Sequence, residues 1–124
     1  MAVSDVSDLR DAEKKKLGKE GEKQARKFLK KNGYKIVKKN YVTPFGEVDI
    51  IVKKGDVVAF VEVKTRLSDI FGMPAEAVNK AKQHKYILAA KYFFSRYQIG
   101  ATVRFDIVEV FKGQINHIEN AFYE

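Results

Sequence analysis

Asp49, Glu62 and Lys64 lie in or beside two apolar runs, Val48 to Val52 and Val57 to Val63, separated by Lys53-Lys54-Gly55-Asp56. Two β-branched runs joined in this way predict a β-hairpin whose turn fixes which residues face each other. With Gly55-Asp56 as a two-residue loop, Lys54 pairs with Val57 and Asp49 stands directly opposite Glu62. A turn at Lys54-Gly55 puts Asp49 opposite Phe60 instead and diagonal to Glu62, so the carboxylates are neighbours either way. Like charges about 5 Å apart across a sheet are normally destabilising, and such a pair calls for a cation. The strand period of two puts Lys64 on the face of Glu62. Two acids beside one ammonium on rigid strands is an arrangement that suits a divalent metal and an attacking water.

Acidic and basic residues also alternate on the solvated face of edge hairpins without any function. Here they interrupt strongly apolar strands. Val57, Ala59, Val61 and Val63 read as core on one face, while Ile51 and Phe60 share the face of the charged trio, which is therefore not a simple polar one.

Other elements must hold this hairpin in place. Residues 1–7 read as a frayed lead-in, after which Asp8 is placed to cap a helix reaching Lys31. Leu17, Gly18, Gly21, Ala25, Phe28 and Leu29 form its apolar stripe, and Asn32-Gly33 supplies the stop. Glu22 shares the side of Gly18, Ala25 and Leu29, where a carboxylate is costly unless a cation meets it. Glu22 is either a boundary residue reaching water or a third acid directed at Asp49 and Glu62.

Tyr34 to Tyr41 predicts a strand, and Val42 to Gly46, with Pro44, a loop. Leu67 to Met73 reads as irregular, with Gly72 and Pro74 as breakers, and a loop after Lys64 is placed to touch a substrate. A second helix is expected to begin between Pro74 and Asn79 and to run to about Tyr97, burying Val78, Ala81, Leu88, Ala89, Tyr92 and Phe93. Lys80, Lys82, His84 and Lys85 crowd its first turns, where cations and helix amides together attract phosphate, although a merely solvated face has the same composition. Thr102 to Phe111 predicts a further strand, and Lys112-Gly113-Gln114 turns the chain into Ile115 to Ile118. Arg104 and Asp106 share a strand face, where pairing with each other competes with any functional role. There is no internal repeat and no low-complexity segment.

A chain of 124 residues with 45% hydrophobic and 32% charged residues reads as one folded domain, 1–124, rather than a disordered or membrane-embedded segment. It has no Cys, so disulfides and thiolate metal sites are excluded, and His84 and His117 are too far apart in sequence to suggest zinc. Without a signal-like apolar region or a spanning segment, the cytoplasm is the expected location. Lys and Arg number 24 against 16 Asp and Glu, for a net charge of +8, which favours a polyanion such as DNA or RNA. Solubility alone also accounts for a surplus of this size.

The predicted order, helix, three strands, helix, strand, with Asp49 on the second strand and Glu62-Val63-Lys64 on the third, resembles the PD-(D/E)XK nuclease superfamily. Within it the chain looks like the YraN-type family, which is similar to archaeal Holliday junction resolvases. The resemblance is carried by Gly18 to Ala25, Gly46 to Ile51 and Phe60 to Arg66, continues through Gly72 to Lys82 and Arg104-Phe105-Asp106, and departs at Val48, where the superfamily has Pro. It implies an α/β, restriction-endonuclease-like core of order αβββαβ with a mixed central sheet flanked by helices. It also implies that Asp49 and Glu62, with the carbonyl of Val63, hold Mg²⁺ or Mn²⁺, that Lys64 is the catalytic lysine, and that Glu22 is the helix-borne acid.

Lys82 and Gln83 match a polar position that some superfamily members use near the site. With Thr65, Arg66, Lys80 and Lys85 they are the expected nucleic-acid contacts. The implied activity is metal-dependent endonucleolytic cleavage of DNA, branched DNA being suggested by the resolvases, which act as homodimers; Phe94 and Tyr97 are candidates for such an interface or for core. The competing expectations are a catalytically silent nucleic-acid-binding module and an accessory interaction subunit.

Overall fold

The computed structural model describes residues 11–66 and 79–124. Helix α1 (Asp11–Lys31) is followed by β1 (Lys35–Thr43), β2 (Gly46–Lys54), β3 (Val57–Thr65), α2 (Lys80–Arg96), β4 (Thr102–Phe111) and β5 (Gln114–Phe122). The five strands form one sheet in the order β1-β2-β3-β4-β5. Neighbours are antiparallel except β3 and β4, which run parallel and are joined across the sheet by the connection that contains α2. The α/β order expected from the sequence is present, with β5 added at the edge. The predicted lead-in at 1–7, the cap at Asp8, the segment Leu67 to Met73 with Gly72, Pro74 and Val78 lie outside the described residues.

Both faces of the sheet are covered. Against α1, Ala25 and Leu29 pack on Ile50, Val52, Ala59, Val61, Val108 and Val110. Against α2, Tyr86, Ala89, Ala90 and Phe93 pack on Ile51, Phe60, Phe105 and Ile107. Phe60 is the hub of that second layer, with its ring 5.7 Å from that of Phe93 and 5.8 Å from that of Phe105. A ring buried in this way contributes on the order of 3–5 kcal/mol against truncation, which fixes α2 in position over β3.

Helix α1 ends where Asn32-Gly33 predicts. Gly33 has φ 89°, its amide donates to Lys30 O, and the Tyr34 amide donates to Leu29 O, the paired bonds of a glycine-terminated helix. Gly21 is required for a different reason. A Cβ there would fall 2.1 Å from Thr65 Oγ1, so only glycine lets α1 lie this close to the end of β3.

Three local expectations are corrected. Val42 to Gly46 is mostly strand, because Thr43 pairs with Gly46 and only Pro44-Phe45 is left as the turn. The stripe of α2 is rotated from the expected one. Tyr86, Ala89, Ala90 and Phe93 are buried, Leu88 and Tyr92 are half-buried, and Ala81 is exposed. The last strand runs on to Phe122, whose ring stacks on Phe105 with centroids 5.1 Å apart. Phe94 and Tyr97 are half-buried against the α2 core.

Candidate metal centre and nucleic-acid interface

The hairpin register settles on the Gly55-Asp56 turn. Lys54 pairs with Val57, and the ladder continues to Ile50 opposite Val61, which leaves Asp49 next in line with Glu62. Lys39 pairs with Ile50 and Tyr41 with Val48, so Asn40 falls opposite Asp49 on the other side. Asn40, Asp49 and Glu62 thus form a row across β1, β2 and β3. The apolar alternation of β2 breaks at this row, since Val48 joins the layer under α2 while Ile50 joins the layer under α1.

Each acid in the row has its own partner. Asp49 Oδ2 accepts the Val63 amide at 2.8 Å. Glu62, only 3% exposed, accepts the Tyr86 hydroxyl at 2.6 Å and has the Lys82 ammonium 2.6 Å from its other oxygen. The Tyr86 hydroxyl also accepts the Asp49 amide at 3.3 Å, so one phenol joins both acid-bearing strands. Burial, with the carboxylates of Asp49 and Glu62, pushes the Tyr86 phenol well above its ordinary value and keeps it a donor. Burial, then the charge of Glu62, pushes Asp49 up to about 8 against the pull of the Val63 amide. Two carboxylates that cannot comfortably both ionise are what a divalent cation relieves.

Glu22 comes from α1 to the same place. Its Oε1 accepts the Asn40 side-chain amide at 2.8 Å, and its charge adds to the upward push on Asp49. Asn40 has φ 49°, a left-handed backbone that Asn tolerates better than most side chains. The α1 acid is therefore directed at the row and is held there by a residue of β1.

Glu22 and Asp49 line a cleft of about 560 Å³ between the sheet and α2. Lys82 and Lys85 line it from the first turns of α2, which Asn79 caps by accepting the Lys82 amide at 2.9 Å. Around Glu22 on the opposite side, Lys19, Lys23, Arg26 and Lys39 border a shallow second depression of about 250 Å³. The acids therefore sit between two groups of cations.

The other expected residues are distributed as follows. Lys64 is half-buried two positions after Glu62 on β3, and among the described residues its ammonium has no ion pair or hydrogen bond. Val63 meets Asp49 through its amide. Lys80 is exposed on the first turn of α2, and Gln83 is half-buried there, its amide donating to Asn79 O. Thr65 faces Gly21 of α1, away from the cleft. Arg66 folds onto buried Glu109 with bonds of 2.9 and 2.7 Å. Arg104 and Asp106 pair with each other at 2.9 Å, within a buried group that includes His117.

Tyr86 and Asn40 are the site residues that sequence reasoning missed. The available signal for Tyr86 was its spacing to Ala89, Ala90 and Phe93, with Lys82 one turn earlier. Nothing in the sequence distinguishes Asn40 from the lysines around it.

All ligand atoms offered by Asp49, Glu62 and Glu22 are oxygens, the donor type suited to Mg²⁺ or Mn²⁺. Among the described residues no three His, Cys, Asp or Glu side chains converge into a ready-made cage. No described helix is long and apolar enough to cross a membrane.

Residues 21–110 match the model of the uncharacterised protein family UPF0102. A UPF0102 protein of Thermodesulfovibrio yellowstonii is 50% identical over 107 residues, covering 86% of this chain and 96% of that protein. UPF0102 proteins of Alkaliphilus metalliredigens and Caldicellulosiruptor saccharolyticus are each 46% identical, covering 87% and 88% of this chain and 98% of their own lengths. The chain belongs to the UPF0102, or YraN-like, family.

Proposed function

We propose that this protein is a Mg²⁺- or Mn²⁺-dependent endonuclease that hydrolyses phosphodiester bonds in DNA. The observation that carries this reading is the pair of half-buried Asp49 and buried Glu62 on adjacent strands, beside a cleft lined by Lys82 and Lys85. Asp49 and Glu62 would hold the cation, with Glu22 near enough to add to their field. When bound, such a cation lowers the pKa of a coordinated water and neutralises charge on the scissile phosphate. Lys64, two positions after Glu62 on β3, would orient the nucleophile or oppose the charge that develops on phosphorus. Lys85 and the α2 amides serve one flanking phosphate, and Lys23, Arg26 and Lys39 another.

The experiment incubates end-labelled single-stranded, duplex and four-way-junction DNA, and RNA, with Mn²⁺ or EDTA, running Glu62→Gln beside wild type. Cleavage that needs Mn²⁺ and falls at least about a hundredfold in the variant supports the proposal. Lys64→Ala should lose turnover while keeping affinity for DNA. Cleavage retained in Glu62→Gln would contradict the assignment of the site.

One observation favours a second reading, a nucleic-acid-binding module without catalysis. Lys82 already compensates Glu62 at 2.6 Å. In that case binding falls steeply with salt but is indifferent to EDTA and to Glu62→Gln.

A further inference from the structure

The cleft has one wall that hydrolysis does not use. Phe45 is 40% exposed at the tip of the β1-β2 hairpin and lines the same cleft as Asp49 and Lys85. Single exposed apolar residues are common and by themselves mean little. This one sits in a concave site, on a braced turn. Thr43 Oγ1 donates to Gly46 O at 2.8 Å and accepts the Phe45 amide at 3.0 Å. Gly46 has φ 129°, a conformation that glycine adopts readily, and the stem of Lys85 passes over it, 3.9 Å from where a Cβ would lie. The aromatic ring and the lysine stem therefore border the same stretch of cleft, next to the acids.

A ligand that answers both features carries negative charge and a flat apolar face. A nucleotide does so, through its phosphate and its base. Inside a continuous duplex, base faces are covered by their neighbours, so only an unpaired or unstacked nucleotide can offer one to Phe45. We propose that Phe45 stacks on an unpaired base of the bound strand, so that the substrate class is nucleic acid with single-stranded or branch-point nucleotides rather than uninterrupted duplex. The inference rests on the nuclease reading for the orientation of the strand, yet binding alone can test it.

The test measures binding in EDTA, where cleavage plays no part. The probes are a single strand and a gapped duplex carrying 2-aminopurine, and the same sequence fully paired. Wild type should quench 2-aminopurine in the unpaired probes. Phe45→Ala should weaken those complexes about 5- to 100-fold, the range for loss of one stacking platform. Its effect on the paired duplex should stay within about twofold, and Phe45→Trp should restore quenching. Equal loss on paired and unpaired probes, no loss on either, or no binding of any probe by the wild type would overturn the proposal. The last two outcomes would leave an apolar protein partner as the occupant of the hairpin tip. If the probes behave as expected but nothing is cleaved in Mn²⁺, the nuclease reading fails while this one stands.

Discussion

The Lys82 ammonium lies 2.6 Å from Glu62 Oε1 and provides the positive charge for a carboxylate that is only 3% exposed. Lys82 is itself 46% exposed at the side chain, so it can swing into solvent at little cost. Glu62 thus has an ammonium that a divalent ion could displace. Removing Lys82 leaves a buried charge whose remaining partner among the described residues is the Tyr86 hydroxyl. Lys82→Ala should lose about 1–2 kcal/mol of stability in EDTA, less than a fully buried pair because water screens the lysine. Mn²⁺ should raise the Tm of the variant more than that of wild type. Equal Tm shifts would mean that lysine and metal do not share Glu62.

Asp49 is placed where its charge is opposed by both Glu62 and Glu22. Asp49→Asn keeps an oxygen for the Val63 amide and removes the repulsion. Denaturant unfolding in EDTA should find the variant more stable by about 1 kcal/mol, with activity in Mn²⁺ lost. A less stable variant would show that the carboxylate is satisfied without a cation.

Asn40 holds Glu22 from a left-handed backbone position that glycine would adopt without strain. Asn40→Gly should keep the fold and reduce cleavage about tenfold by freeing Glu22. Asn40→Asp should reduce it further, because it sets a new charge against Glu22. The rate comparison, with circular dichroism as the control for folding, decides whether Glu22 must be positioned.

Asp106 governs acid stability. Burial works to raise its pKa, but bonds from His117, Arg104 and the Asn120 amide overcome that and hold it below the ordinary 3.8. A carboxylate depressed on folding contributes stability that is present above its unfolded value and lost as pH falls through the folded one. Asp106→Asn should cost about 3 kcal/mol near neutral pH, with the gap to wild type narrowing below about pH 4. A gap independent of pH would contradict the ion-paired assignment.

The hairpin was legible because its turn and its β-branched strands left few registers, and the facing acids followed from counting. Strand β4 was legible for the same reason, being apolar between clear breakers. The rotation of α2 was not, because Tyr86, Leu88 and Tyr92 are all candidates by hydropathy. What selects Tyr86 is the buried carboxylate of Glu62 on another element. Strand β5 runs beyond the expected Ile115 to Ile118 because Asn116, His117 and Asn120, which look like loop residues, lie within it. Their polar groups instead serve buried Glu109 and Asp106. Thr65 and Arg66 continue the motif strand, but the alternation of β3 and the pull of Glu109 direct them elsewhere.

Asp49 and Glu62 are proposed to form a divalent-cation site. Titration of Mn²⁺ into wild type, Asp49→Asn and Glu62→Gln, followed by electron paramagnetic resonance of the free ion, tests it without relying on any substrate. Wild type should bind saturably, and binding should weaken at least about tenfold in each variant. Mn²⁺ binding that is equal in all three proteins, or absent from wild type, would contradict it.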